Sequence, residues 1–285
     1  MTAAATTHTF GPRALRLSLA PLALFTLIAL AGYGIFGLAP ERIPSSSPLL
    51  VRFYQVSFQL LAQAHIVVAL ATLVVMLVRV ARTRWVPAFL VVGLLAFTSE
   101  WMGTGYGIPF GAYSYTGLLG YRIGGRVPWS IPASWFLMAL PCYLIATHVL
   151  GRSRRTLRLL AAATLLTLWD LALDPAMSHL TPYWTWADSG SYYGMPWVNV
   201  FGWMLTGLVL MVALEVLRAH EWGGPLPLPW LAGLYGLVLL MPLGMLALAG
   251  VWGAVLVTCV ALGAFVLVLL TLRAPVAAPR PQVAS

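Results

Sequence analysis

Long apolar runs recur along the chain at a length that suits a membrane-spanning helix. Each run is about 20 residues long, and short polar or Gly- and Pro-rich segments separate one run from the next. The runs predict eight helices, at 17–38, 53–78, 86–104, 131–150, 158–175, 196–217, 228–249 and 251–272. The pattern therefore predicts an all-α fold, a polytopic membrane helical bundle that forms a single transmembrane domain over residues 17–272.

The two ends of the chain lack this pattern. Residues 1–16 are predicted to be a flexible N-terminus, and the Pro- and Ala-rich residues 273–285 a disordered C-terminal tail. The first apolar run follows Arg13 and Arg16, as the core of a signal peptide would. Because the run is long and no small-residue cleavage site follows it, we expect a retained helix.

Composition and charge agree with a membrane protein. The chain is 61% hydrophobic and 8% charged, which excludes an ordinary soluble globular domain. All 16 basic residues are arginine, and the absence of lysine excludes a retinal protein, which needs a lysine amine. The net charge of +9 lies mainly in short loops between spans, so we expect contact with anionic membrane lipid and none with nucleic acid.

The arginines also predict the orientation. If the N-terminus is cytoplasmic, twelve arginines fall on the cytoplasmic side. The other four, Arg42, Arg52, Arg122 and Arg126, then fall outside. We therefore expect both termini in the cytoplasm, with the third and fifth helices running outward.

Three acids interrupt the apolar runs of these two helices. Glu100 lies late in the third helix, and the stretch "LLTLWDLALDPAMSHL" places Asp170 and Asp174 on one face of the fifth. A carboxylate in the membrane centre costs roughly 2.5–3.5 kcal/mol on insertion scales, so such residues indicate function. The shared depth predicts that the three acids meet. The structural alternative is that each of the three acids caps a nearby loop. For Asp174 this alternative is stronger, because the residue precedes Pro175 and can help to end the helix.

Paired carboxyls beside aromatic walls favour one type of chemistry. Two carboxyls on one apolar face can hold a single proton, which makes one a general acid and the other a general base. The faces of Trp and Tyr stabilise a developing cation. Such a site suits the protonation of an electron-rich alkene in a lipid-soluble substrate, after which water or an internal double bond captures the cation.

Two loops rich in aromatic residues, Gly and Pro follow the third and fifth helices. An aromatic belt at the membrane interface explains part of this composition. The loops also match each other at a few positions, which indicates a parallel duplication of a helical hairpin, with chance similarity as the alternative. The matches are Tyr113-x-Tyr115 with Trp184-x-Trp186, Pro128-Trp129 with Pro196-Trp197, and Trp135 with Trp203.

A polar stripe runs along the second helix. Arg52, Gln55, Gln59 and Gln63 fall within about 80° of one another on a helical wheel. Because Gln59 and Gln63 lie inside the apolar run, they need hydrogen-bond partners, either in a neighbouring helix or in a water site beside the acids. His65 lies on another face and is interpreted as a core residue.

Three motifs resemble a known family. "TSEWMGTGYGIPFGAYSYTG", "LWDLALDPAM" and "WTWADSGSYYGMPWVNVFGW" are similar to the membrane carotenoid-biosynthesis family that contains the CruF-type carotenoid 1′,2′-hydratases. The resemblance covers residues 50–270. It implies a hydro-lyase in the bacterial cytoplasmic membrane that adds water across the terminal C1′–C2′ double bond of an acyclic ψ-end, as in γ-carotene or lycopene, without a cofactor.

The acids fit this reaction. Asp170 or Asp174 is the predicted general acid, and the other aspartate or Glu100 would handle the water. Asn199, Gln59 and Gln63 are candidates to hold water or an acid. The residues predicted to line the end-group pocket are Tyr113, Trp184, Trp186, Tyr192 and Trp203.

Other functions stay open at this point. A lycopene-type cyclase would protonate the same bond and let an internal alkene capture the cation. A transporter or proton relay would use the same acids without catalysis. A prenyltransferase is disfavoured, because it needs two aspartate-rich motifs for Mg²⁺, and no metal site is expected here.

Overall fold

A computed structural model describes residues 11–44 and 46–273 of the protein. Eight of the helices in this part of the chain are long and apolar enough to cross a membrane, which confirms the predicted polytopic bundle. The helices are α1 (Pro12–Gly32), α2 (Pro48–Ala81), α3 (Val86–Tyr106), α4 (Ser130–Leu150), α5 (Arg155–Asp174), α6 (Trp197–Val216), the short α7 (Ala219–Trp222), α8 (Leu228–Leu248) and α9 (Trp252–Thr271).

The first helix starts earlier than the apolar pattern predicted. Residues 12–16, which we expected in a flexible terminus, form the first turn of α1. Pro12 suits the opening of a helix because its fixed φ is already helical and its missing N–H would have no partner there. The remaining parts of the two predicted tails, residues 1–10 and 274–285, lie outside the described residues.

Two spanning helices end in π-helical turns. α1 continues as a π-helical turn over Tyr33–Gly37. α5 ends at Asp174, as the following proline predicted, and a π-helical turn over Pro175–Leu180 extends it. π-helical turns of this kind are often found at functional sites.

Short strands join the two aromatic loops at one end of the bundle. The strands are β1 (Tyr113–Tyr115), β2 (Arg122–Ile123), β3 (Val127–Pro128) and β4 (Trp184–Trp186). β1 pairs antiparallel with β4, and β2 with β3. In the β1–β4 pair, Tyr113 lies opposite Trp186 and Tyr115 opposite Trp184. The loops after α3 and α5 therefore form one cap over this end of the bundle.

α4 is the central helix of the bundle. Nearly all its side chains are buried, and it packs against α2, α3, α5 and α8. α9 lies outside and leaves most of its apolar side chains exposed, Leu256 and Leu267 among them. An exposed apolar surface of this kind suits a helix that contacts lipid.

A buried ion pair ties α5 to α6 near the end opposite the cap. Arg158, at the start of α5, donates from Nη2 to both carboxylate oxygens of Glu215 at 2.7 Å. Tyr143 on α4 also donates to Glu215, and its hydroxyl lies 3.0 Å from Nδ1 of His220. The polar groups at the two ends of the bundle are thus separate clusters.

Candidate active site

A cavity of about 110 Å³ lies beneath the cap. It is surrounded by α2, α3, α4, α5, α6 and α8. Glu100 from α3 and both aspartates from α5 line it, and all three acids are buried. The structure therefore brings together the three acids that their positions in the sequence placed at one depth.

The aspartate pair is held by one asparagine. Because Asp170 and Asp174 are one helical turn apart, a single side chain from α6 reaches both. Nδ2 of Asn199 donates to Oδ2 of Asp170 at 2.8 Å and to Oδ2 of Asp174 at 3.2 Å. Oδ1 of Asp174 accepts from Ser178 and Trp186, at 2.7 and 3.1 Å.

Asp170 differs from Asp174 in its second oxygen. Oδ1 of Asp170 is buried and has no hydrogen-bond partner among residues 11–44 and 46–273. A buried carboxyl oxygen without a hydrogen-bond partner costs free energy, so such a group in a folded protein calls for an explanation. Asp170 is also one of the residues that line the cavity, so its carboxyl lies beside the space that a ligand would occupy.

Both carboxylate oxygens of Glu100 accept hydrogen bonds. Oε2 accepts from the hydroxyls of Tyr113 and Tyr115, the latter at 2.7 Å, and Oε1 accepts from Nε1 of Trp135 at 2.8 Å. Burial, and then the neighbouring Glu100, raise the pKa of both tyrosine hydroxyls well above the ordinary value. The tyrosines therefore keep their protons and remain donors to Glu100.

Aromatic rings form the walls of the cavity. Trp135 from α4 stacks on Trp203 from α6 with ring centroids 4.3 Å apart. Trp203 also meets Trp169 edge-on, with centroids 5.8 Å apart. Tyr113 and Trp186 close the cap side, with centroids 5.2 Å apart. These rings surround the acids with the π faces that attract a cation.

Two glycines allow the loop after α3 to approach the helices closely. A Cβ on Gly103 of α3 would lie 2.8 Å from the ring of Phe110, and one on Gly202 of α6 would lie 2.7 Å from both that ring and the carbonyl oxygen of Pro109. The absence of a side chain at both positions lets Phe110 line the cavity.

The structure brings most of the predicted pocket residues to the cavity but not all. Tyr113, Trp184, Trp186, Asn199 and Trp203 line it.

Three predicted residues lie elsewhere. Tyr192 donates to the carbonyl oxygen of Leu171 at 2.8 Å and is absent from the lining. Gln59 and Gln63 are also absent from it: Gln63 donates to the carbonyl oxygen of Gln59 and packs against Gly120 of the cap. The contacts of Gln63 differ from both roles considered for the glutamines, because its side chain bonds within α2 and packs on the cap.

Several lining residues were not among the predicted site residues. Tyr115 and Trp135 bind Glu100. The match between the two loops could have pointed to them, because they correspond to the predicted residues Trp186 and Trp203. His65, which we had interpreted as a core residue, is buried 3.2 Å from Thr26 and also lines the cavity. Nothing in its sequence surroundings distinguishes it from a core histidine.

Known proteins include relatives of this chain. The family described as carotenoid biosynthesis protein matches residues 58–265, which include every acid of the cavity. The chain belongs to this carotenoid biosynthesis family. A relative is bisanhydrobacterioruberin hydratase of Haloarcula japonica, 32% identical over 130 residues. The alignment covers 45% of this chain and 44% of that protein. No solved structure matches the chain.

Proposed function

We propose that this member of the carotenoid biosynthesis family is a carotenoid hydratase. It would add water across the terminal C1′–C2′ double bond of an acyclic ψ-end of the γ-carotene or lycopene type. The observation that carries the proposal is the buried carboxyl of Asp170, which has one unpartnered oxygen and belongs to a residue that lines a cavity walled by aromatic rings. The hydratase among its relatives supports the same class of reaction.

The first step is protonation of the alkene. Asp170 gives its carboxylic proton to C2′, and the π electrons of the double bond form the new C–H bond. This leaves a tertiary cation at C1′ and a carboxylate on Asp170. The stacked faces of Trp135 and Trp203 stabilise the cation without forming a bond to it.

Water completes the reaction. Its oxygen forms a bond to C1′, and the resulting oxonium ion loses a proton to Asp174, which leaves a tertiary alcohol. The proton then returns from Asp174 to Asp170, which lies one helical turn away and shares the hydrogen-bond donor Asn199 with it. One water is consumed, and nothing is oxidised or reduced.

Glu100 stabilises charge in this scheme. One carboxylate oxygen of Glu100 accepts from the indole of Trp135, which can only donate, and the other accepts from both tyrosine hydroxyls. Three donors around one carboxyl group favour its ionised form. Its negative charge would stabilise the cation at C1′ in a site from which bulk water is largely excluded.

We place the reaction in the bacterial cytoplasmic membrane, where a long polyene dissolves. The spanning helices carry an exposed apolar surface through which such a substrate can reach the bundle. Membrane lipid surrounds the protein, and the other substrate is water.

Expression in bacteria that accumulate lycopene or γ-carotene tests the proposal. We expect a pigment heavier by one water per reacted end, whose new oxygen comes from isotopically labelled solvent water. A product of unchanged mass with a ring would indicate a cyclase. Unchanged pigment, or oxygen derived from O₂, would contradict hydration.

A further inference from the structure

A second cavity adjoins the one that holds the acids. It has a volume of about 450 Å³ and lies between α1, the first half of α2 and α8. Ala62, Tyr183 and Met241 line both cavities, so the two spaces are separated by single side chains. The hydroxyl of Tyr183 donates to the carbonyl oxygen of Phe58 at 2.9 Å, which fixes its ring at this junction.

The size of the acid cavity requires such a space. Pockets that enclose a drug-sized ligand measure about 300–1,000 Å³. The acid cavity, at about 110 Å³, has room for the end of a long polyene and not for its chain. The rest of the molecule must therefore leave the acid cavity, and the second cavity is the adjoining space.

The walls of the second cavity suit a conjugated chain. Its lining is apolar except for a few groups, and aromatic rings are frequent in it. Phe58 meets Tyr33 and Tyr54 edge-on, with ring centroids 6.5 and 5.8 Å away. Aromatic faces and edges complement the flat π system of a polyene better than a saturated acyl chain.

The second cavity also reaches the surface of the bundle. Phe36 of the first π-helical turn and Leu50 and Phe53 of α2 line it and are exposed. Arg42 lies at the same rim, and a guanidinium there marks the level of the membrane interface. The far end of a long polyene could thus extend into the membrane between α1 and α2.

We propose that the second cavity binds the polyene chain of the substrate whose end group lies at Asp170. This assignment rests on the proposed function and adds the binding site for the unreactive part of the substrate. Under this assignment, the residues around the second cavity determine which lengths of polyene chain the protein accepts. The residues around the acid cavity carry out the reaction.

Gly32 offers a direct test. It lines the second cavity in a helical conformation, and a Cβ built on it meets nothing within 4 Å, so Gly32→Phe fills the space without disturbing the backbone. Gly236 on α8 is also open around its Cβ, is exposed, and lines neither cavity, so Gly236→Phe is the matched control. Ser57→Phe, from α2, repeats the test if Gly32→Phe does not fold.

Conversion is measured for lycopene and for a short acyclic terpene with the same terminal double bond. We expect Gly32→Phe to lower lycopene conversion at least about tenfold, while conversion of the short substrate stays near wild type. A tenfold loss corresponds to ~1.4 kcal/mol of overpacking between the new side chain and the polyene. Equal losses for both substrates, or no loss for lycopene, would overturn the assignment. Either result leaves the hydratase proposal standing if the wild type converts lycopene.

Retention of lycopene by the purified protein separates the two proposals. If the wild type binds lycopene but converts neither substrate, the hydratase proposal fails, and the loss of bound lycopene in Gly32→Phe still supports the second cavity. If the cavity holds a lipid acyl chain instead, the variant would lose bound lipid and retain lycopene as the wild type does, which would overturn the assignment.

Discussion

Trp135 and Trp203 stack with their ring planes 27° apart, and they occupy matching positions in the two halves of the chain. Each lies six residues after the tryptophan of a Pro-Trp pair, Pro128-Trp129 or Pro196-Trp197. The strand pair repeats this relationship at its centre, where the matching residues Ser114 and Thr185 lie opposite each other. At these two places matching residues meet, which is an arrangement that a parallel duplication of a helical hairpin would give.

The stack gives a test of cation stabilisation. Replacing Trp203 by Leu removes the π face, whereas replacing it by Phe keeps one. Because a desolvated cation–π interaction is worth about 2 kcal/mol, we expect Trp203→Leu to lower turnover about 30-fold and Trp203→Phe to lower it much less. Turnover is measured per unit of monodisperse protein. Equal activity of the two variants would show that the ring serves packing alone.

Glu100 should matter for charge more than for folding. In Glu100→Gln, the amide oxygen can still accept from Trp135, and the hydroxyls of Tyr113 and Tyr115 can rotate to accept from the amide nitrogen. The cavity loses one negative charge. We expect turnover to fall at least about tenfold, because transition-state stabilisation is lost, while lycopene retention is unchanged.

The control for this change is Glu41→Gln, at an exposed position. Retained turnover in Glu100→Gln would contradict the role given to the charge. Loss of bound lycopene in parallel with turnover would instead assign Glu100 to binding.

The sequence was sufficient to predict the helices and the meeting of the acids. The apolar runs predicted each spanning helix, because the thickness of the bilayer sets their length. The common depth of Glu100 and Asp170 followed from counting positions along helices that run in the same direction. Both inferences rest on one-dimensional spacing, which a sequence records directly.

The parts that failed depend on rotation and on distant contacts. α2 is apolar around most of its circumference, so the sequence does not fix which face meets the cavity, and Gln63 turned out to pack on the cap beside Gly120. The pairing of β1 with β4 joins residues about 70 positions apart through strands of three residues, too short for a periodic pattern. The partners of Glu100 depend on this pairing.

The close approach of Gly202 predicts a packing requirement. In Gly202→Ala, the new methyl group would meet the carbonyl oxygen of Pro109 at 2.7 Å, and a backbone atom cannot move aside as a side chain can. We expect a loss of about 1–3 kcal/mol in the free energy of unfolding, followed by thermal unfolding in detergent. Gly263→Ala, in open space on α9, should be neutral or stabilising by ~1 kcal/mol. Equal stability of the two variants would contradict the packing described.

The ion pair of Arg158 and Glu215 should be a major element of stability. The side chain of Arg158 is 1% exposed, so Arg158→Met leaves Glu215 without its buried partner. Breaking a buried pair costs about 3–5 kcal/mol. Arg155 also approaches Glu215, at 3.6 Å, but is 62% exposed, and Arg155→Met should cost less than about 1 kcal/mol. Thermal unfolding of both variants measures the difference, and similar midpoints would refute the assignment.

The assignment of Asp170 as the proton donor is the centre of the account. Asn at this position keeps the size of the side chain. Its oxygen can accept from Asn199, and its amide nitrogen takes the place of the unpartnered Oδ1. The variant should therefore fold and bind lycopene while lacking a carboxylic proton. Asp188→Asn, in an exposed loop, makes the same chemical change away from the cavity and is the matched control.

The decisive measurement is lycopene conversion per unit of monodisperse, lycopene-binding protein for Asp170→Asn against Asp188→Asn. We expect a loss of about 10²–10⁴-fold in Asp170→Asn, the contribution of a positioned general acid, and wild-type conversion in the control. Near-wild-type conversion by Asp170→Asn would contradict the account, because the reaction would then proceed without the proton that Asp170 is proposed to supply.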